Sequence, residues 1–166
     1  MRKVFFCLAL LLAFFPAVVQ AQSAPMAGSF AFALQGYTVQ GQLSNAVIHT
    51  DNTVSMSMTL DDNLQTSMGA VPISANGEWD GTVSGSMMSG SIQGVSGSIQ
   101  ACYLIFFCGY ADFVGNGIWT GTLSAGQGSG TFSGNITFTS SSFSQIQLNQ
   151  PIPVSGNWNS AFQSSS

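Results

Sequence analysis

Few side chains in this sequence can do chemistry, and their spacing narrows what they can do. Cys102 and Cys108 bracket the apolar run Tyr103-Leu104-Ile105-Phe106-Phe107. The third cysteine, Cys7, lies inside an apolar N-terminal stretch. Once that stretch is removed on export, an even pair remains in an oxidising compartment, which predicts a Cys102–Cys108 disulfide. So small a loop gains about 2 kcal/mol at most from closure, so the bridge shapes a local feature more than it holds a fold. The five enclosed residues form a candidate contact loop, with Tyr110 and Phe113 following. A clamped apolar tip in water marks a contact with a protein or a membrane. The other reading is a strand buried on both faces, with the cystine packed beside it.

The remaining reactive groups are sparse. His49 is the lone histidine and follows Val47-Ile48, with no serine elbow or partner pattern to make a triad. Gly85-Ser86-Met87-Met88-Ser89-Gly90 reads as Gly/Ser turns. A zinc site lacks ligands once the cystine forms, and a phosphate cradle lacks its lysine. Asp61-Asp62-Asn63 offers oxygen ligands of the kind calcium takes, without the spacing of a calcium loop, and reads better as a turn. Glu78 and Asp80 share a strand face, as a glycoside-cleaving pair could, or as a wet patch beside Trp79. Asn135-Ile136-Thr137 matches an N-glycosylation acceptor. The expectation is a non-enzymatic protein with no catalytic residue, metal or cofactor, and a carboxylate-based hydrolase is the catalytic alternative.

Composition says where such a chain works. Arg2 and Lys3 precede an apolar run from Val4 to Val19, and Val19-Gln20-Ala21 offers small residues for cleavage. That layout predicts a secretory signal peptide over 1–21 and a secreted domain, extracellular or periplasmic, over 22–166. The run falls short of the roughly 20 residues of a spanning helix. Both basic residues leave with the leader, so Gln22 to Ser166 contains no Lys or Arg. Nucleic-acid binding is excluded for want of a basic patch, and docking to anionic lipid heads is disfavoured. The surface must then be Ser, Thr, Asn, Gln and Gly. Copies of such a surface repel each other weakly, which favours self-association or contact with another surface protein.

The elements that carry these groups show an internal echo. Asn76-Gly-Glu-Trp-Asp-Gly-Thr-Val-Ser84 returns as Asn116-Gly-Ile-Trp-Thr-Gly-Thr-Leu-Ser124, an offset of 40 residues. A weaker copy, Val39 to Ser44, precedes it, and Ser155 to Asn159 follows. Around these, apolar and hydroxyl residues alternate: Val54, Met56, Met58 and Leu60 interleave with Thr53, Ser55, Ser57 and Thr59. Period two with one wet face means antiparallel strands. Predicted strands are 29–35, 37–44, 53–60, 70–75, 77–85, 88–93, 95–101, 110–115, 117–124, 130–139, 144–148 and 152–159. In this reading Asn-Gly before each Trp makes a turn, and Gly81 and Gly121 give room beside Trp79 and Trp119.

The predicted fold class is therefore all-β. Antiparallel up-and-down strands form a small barrel or a two-sheet sandwich, built from about three 40-residue hairpin-type repeats. The Gly-x-Trp strands at Trp79, Trp119 and Trp158 resemble, over a few residues each, small secreted barrels of the lipocalin and avidin type. The three tryptophans fill a core or line a site for a small apolar ligand. The leading expectation is a surface, matrix or filament-type structural or adhesive protein, with membrane contact through the aromatic loop as a variant. The alternatives are an apolar-ligand barrel and, less favoured, an outer-membrane barrel.

Overall fold

The computed structural model describes residues 26–34, 36–66, 69–103 and 107–164. The expected leader, 1–21, lies outside them. The chain forms β1 (Met26–Leu34), β2 (Tyr37–Ile48), β3 (Thr53–Thr66), β4 (Gly69–Ser84), β5 (Met87–Tyr103), β6 (Phe107–Ser124), β7 (Gln127–Ser141), β8 (Pro151–Ala161) and the short β9 (Gln163–Ser164). Each of β1 to β8 pairs antiparallel with its chain neighbours, and β1 also pairs with β8. The result is a closed eight-stranded up-and-down barrel, not a two-sheet sandwich. β9 adds beside β2 in parallel, Gln163 opposite Val47.

Alternation places the side chains. Phe30, Phe32 and Leu34 of β1, and Val54, Met56, Met58 and Leu60 of β3, point inward and are buried. The other face is wet. Thr82, Ser89, Thr120, Thr131 and Asn157 stand side by side across β4 to β8, and all are exposed. A membrane-spanning barrel needs the opposite arrangement, an apolar band facing outward. This rung of the outer face carries hydroxyl and amide groups instead.

Strands are fewer and longer than predicted. The pairs read as 70–75 with 77–85, 88–93 with 95–101 and 110–115 with 117–124 are each one continuous strand. Asn76-Gly77 and Asn116-Gly117 make no turns. A Cβ on Gly77 would stand 2.8 Å from Val95 Cγ2, and one on Gly117 about 3.1 Å from Gly134 Cα. Glycine there admits a neighbouring strand. Register slips between Asn76 and Glu78, and again between Ile92 and Val95, where Gly94 takes a φ of 61°. Such bulges bend long strands around a small barrel. The true hairpin turns follow the repeated nonapeptides, at Gly85-Ser86 and at Ala125-Gly126, whose φ values are 49° and 77°. Residues 144–148 form no strand and belong to the β7–β8 loop.

The nonapeptides fall on β4 and β6, and 79–90 and 119–130 have the same sequence of buried and exposed positions. Forty residues are two strands of one meander. These units share a single core and do not form separate bodies.

Candidate functional site

The barrel has two unlike ends. At one, the turn end, lie the β2–β3, β4–β5 and β6–β7 connections. Here the three tryptophans meet. Trp79 and Trp119 stack at 6.1 Å between centroids, Trp158 stands edge-on to Trp119 at 5.3 Å, and Phe132 edge-on to Trp79 at 5.4 Å. All three indoles are 1–2 % exposed. Trp119 Nε1 donates to the Asp80 carbonyl at 3.3 Å and Trp158 Nε1 to the Thr120 carbonyl at 3.1 Å. Trp79 Nε1 points at Met58 Sδ, 3.3 Å away. Each buried N–H thus has a partner. Gly81 and Gly121 make room for an indole two strands away, not for the one on their own strand. A Cβ on Gly81 would meet Trp119 Cζ2 at 2.6 Å, and one on Gly121 would meet Trp158 Cζ2 at 2.5 Å. The void left between Trp79, Phe132 and Ile92 is about 50 Å³. That is far below the roughly 300 Å³ at which ligand pockets begin.

At the other end, the mouth, the strand pairs part company. β4 meets β5 only from Ile73 opposite Ile99 onward, and β6 meets β7 only from Ala111 opposite Ser141. Beyond that line Gln100 to Tyr103 and Phe107 to Tyr110 have ladder partners only in each other, and the β7–β8 loop bonds the base of this hairpin at Tyr110 through Ser142, so the β5–β6 hairpin projects past its neighbouring strands. Its strands are joined by the Cys102–Cys108 disulfide, whose cysteines sit directly opposite and exposed. Leu104, Ile105 and Phe106 of the expected contact loop lie outside the described residues, as do the side chains of Tyr103 and Phe107. Just below, the outer face of β6 carries Tyr110, Val114 and Ile118, exposed to 52 %, 45 % and 61 %. Asp112 and Asn116 alternate with them.

The β7–β8 loop lies across the mouth. Ser142 N donates to Tyr110 O and Asn149 N to Phe138 O, both at 2.9 Å. Phe143 and Ile146 pack partly buried against the core. Beneath this loop is a cavity of about 470 Å³, whose lining includes Tyr37, Gln145, Gln147 and Gln150. None of these four was legible as a site residue. They carry no motif and meet only through barrel closure.

The carboxylates do not gather. Among the described residues no three His, Cys, Asp or Glu stand where they could hold a metal ion. Asp62 lies inside β3, not in the predicted turn. Its Oδ2 accepts from Gln40 N at 2.9 Å and its Oδ1 from Asn63 N at 2.7 Å, replacing a ladder carbonyl where β3 leaves β2. Glu78 and Asp80 are exposed on the outer face, and Glu78 accepts from Ser57 Oγ at 3.2 Å. His49 Nε2 lies 3.0 Å from Ser55 Oγ. Asn135 is exposed on β7. In the β2–β3 turn Asp51 accepts from Thr53 Oγ1 at 2.6 Å and from Thr53 N at 3.0 Å. The Thr53 hydroxyl first, then its N–H, hold the Asp51 carboxyl below the ordinary carboxylate value. No protein-family model, curated protein or solved structure matches this chain.

Proposed function

We propose that the protein is a secreted, non-enzymatic contact protein, a surface, matrix or filament-type component that works through the mouth end of its barrel. The observation that carries this is the projecting β5–β6 hairpin, clamped by an exposed disulfide, with Tyr110, Val114 and Ile118 exposed along the outer face of β6 below it, alternating with Asp112 and Asn116. A hairpin that leaves the barrel has no share in the core, so its clamp serves the tip itself. Tyr110, Val114 and Ile118 sit where outward residues are otherwise mostly Ser, Thr, Asn and Gln. Apolar patches of that kind favour association, and a chain with only 5 % charged residues resists it weakly. The cystine also suits an oxidising compartment, extracellular or periplasmic.

The partner is a second copy or another surface protein. Sedimentation velocity of oxidised residues 22–166 over a wide concentration range tests this. The expected result is concentration-dependent association that Phe106→Ser with Phe107→Ser abolishes while the melting midpoint holds. Association unchanged in the double variant overturns the role of the tip. A monomer throughout removes self-association and leaves only a foreign protein partner. The interior-ligand alternative has no support in the packing, because the tryptophans occupy that space themselves.

A further inference from the structure

We propose that the mouth cavity binds a small, neutral, amphipathic molecule: an apolar body bearing a hydroxyl, carbonyl or amide group. The cavity, about 470 Å³, lies within the range of small-molecule pockets, roughly 300–1,000 Å³. Six strands supply its walls: Leu34, Tyr37, Leu64, Ile99, Phe138 and Ile152 come from β1, β2, β3, β5, β7 and β8. Side chains so far apart in sequence converge only at the open end of a closed barrel, a recurrent place for ligand sites. Leu34, Leu64 and Phe138 belong to the buried core, so the floor is preformed and apolar.

Charge decides the class of ligand. None of the described lining residues is charged. A carboxylate, phosphate or ammonium entering the cavity would give up water and find no counter-ion, which disfavours it against a neutral molecule of the same shape. The polar groups are the Tyr37 hydroxyl and the amides of Gln145, Gln147 and Gln150. Each amide offers both a donor and an acceptor, which suits neutral hydroxyl, carbonyl and amide groups. The glutamines share one loop, whose backbone is tied by the Ser142 and Asn149 bonds, and all three are exposed at the rim of the cavity. Ile146 anchors the same loop to the core between them.

The test is a fluorescence titration of the oxidised protein with 1-aminoanthracene, which is neutral at neutral pH. Saturable one-to-one binding is expected. The methyl NMR shifts should centre on Leu34, Ile99, Ile146 and Ile152, and not on the tryptophan indoles. Ile146→Trp, which fills the cavity from the loop, should weaken binding at least about tenfold. If that variant does not fold, the methyl shifts of the native protein decide. In competition, 2-naphthol should displace the probe at a concentration about tenfold lower than 2-naphthoate. No saturable binding, shifts confined to the indoles, or equal displacement by the anion would each overturn the proposal.

Discussion

The turn end and the mouth of this barrel are made from the same strands and solve opposite problems. At the turn end, an indole from one strand lies over a glycine of another, Trp119 over Gly81 and Trp158 over Gly121. Volume removed at one position is filled from the next, and only a 50 Å³ void remains. At the mouth the strands outrun their neighbours, the filling stops at Leu34, Leu64 and Phe138, and a loop with three glutamines covers the gap. The indole-over-glycine packing lies on the strands that carry the repeated nonapeptides. The features suited to contact and binding lie where the repeat is broken.

That division is sharpest at the indoles. Trp119→Ala should cost about 3–5 kcal/mol, because it leaves a cavity among Trp79, Trp158 and Gly81 that the surrounding ladder cannot close. In a domain of this size the melting midpoint should fall by on the order of 10 °C. Calorimetry checks it, and a drop of only a degree or two would break the comparison. At the mouth the equivalent deletion is smaller. Cys102→Ser with Cys108→Ser should cost about 2 kcal/mol or less, since the bridge closes a short loop outside the core. Hydrogen exchange should rise in residues 100–110 and stay unchanged around Trp119. Loss of protection across the whole barrel would mean that the clamp supports the core after all.

The smallest effect belongs to the β2–β3 turn. Thr53 holds the Asp51 carboxyl below its ordinary value in the folded chain. A depressed folded value means a contribution complete above the unfolded value and lost as pH falls through the folded one. Asp51 is fully exposed, so the loss is slight. Asp51→Asn should flatten the acid side of the stability profile relative to the native protein. Identical acid slopes in the two proteins would mean that the Thr53 bonds do not differ between folded and unfolded chains.

How much of this the sequence carries differs by region. The inward residues of β3 and β7 alternate so plainly that their strands and faces follow directly. The cystine pairing follows from an even count. Asn-Gly misleads, because the dipeptide is a common turn former and its other use, admitting a neighbouring strand, depends on contacts about 17 residues away, Gly77 with Val95 and Gly117 with Gly134. Gly81 was read against Trp79, two residues off, when the indole it receives is Trp119. The mouth cavity was illegible for the same reason. Its walls come from six strands, and Gln145, Gln147 and Gln150 look like any polar loop until closure puts apolar side chains beneath them.

Closure itself has a mechanical consequence. β1 and β8 run antiparallel at the seam, with Gly28 opposite Ser160 and Phe32 opposite Gly156. The first residue of β1 and the last of β8 therefore emerge together at the turn end. Tension applied through those two strands would load the seam one rung at a time, from Gly28 inward, and peel it like a zipper. A seam loaded in shear would resist with all its rungs at once. The barrel that is hardest to unpack by heat at its tryptophans is, under pulling, opened from the same end.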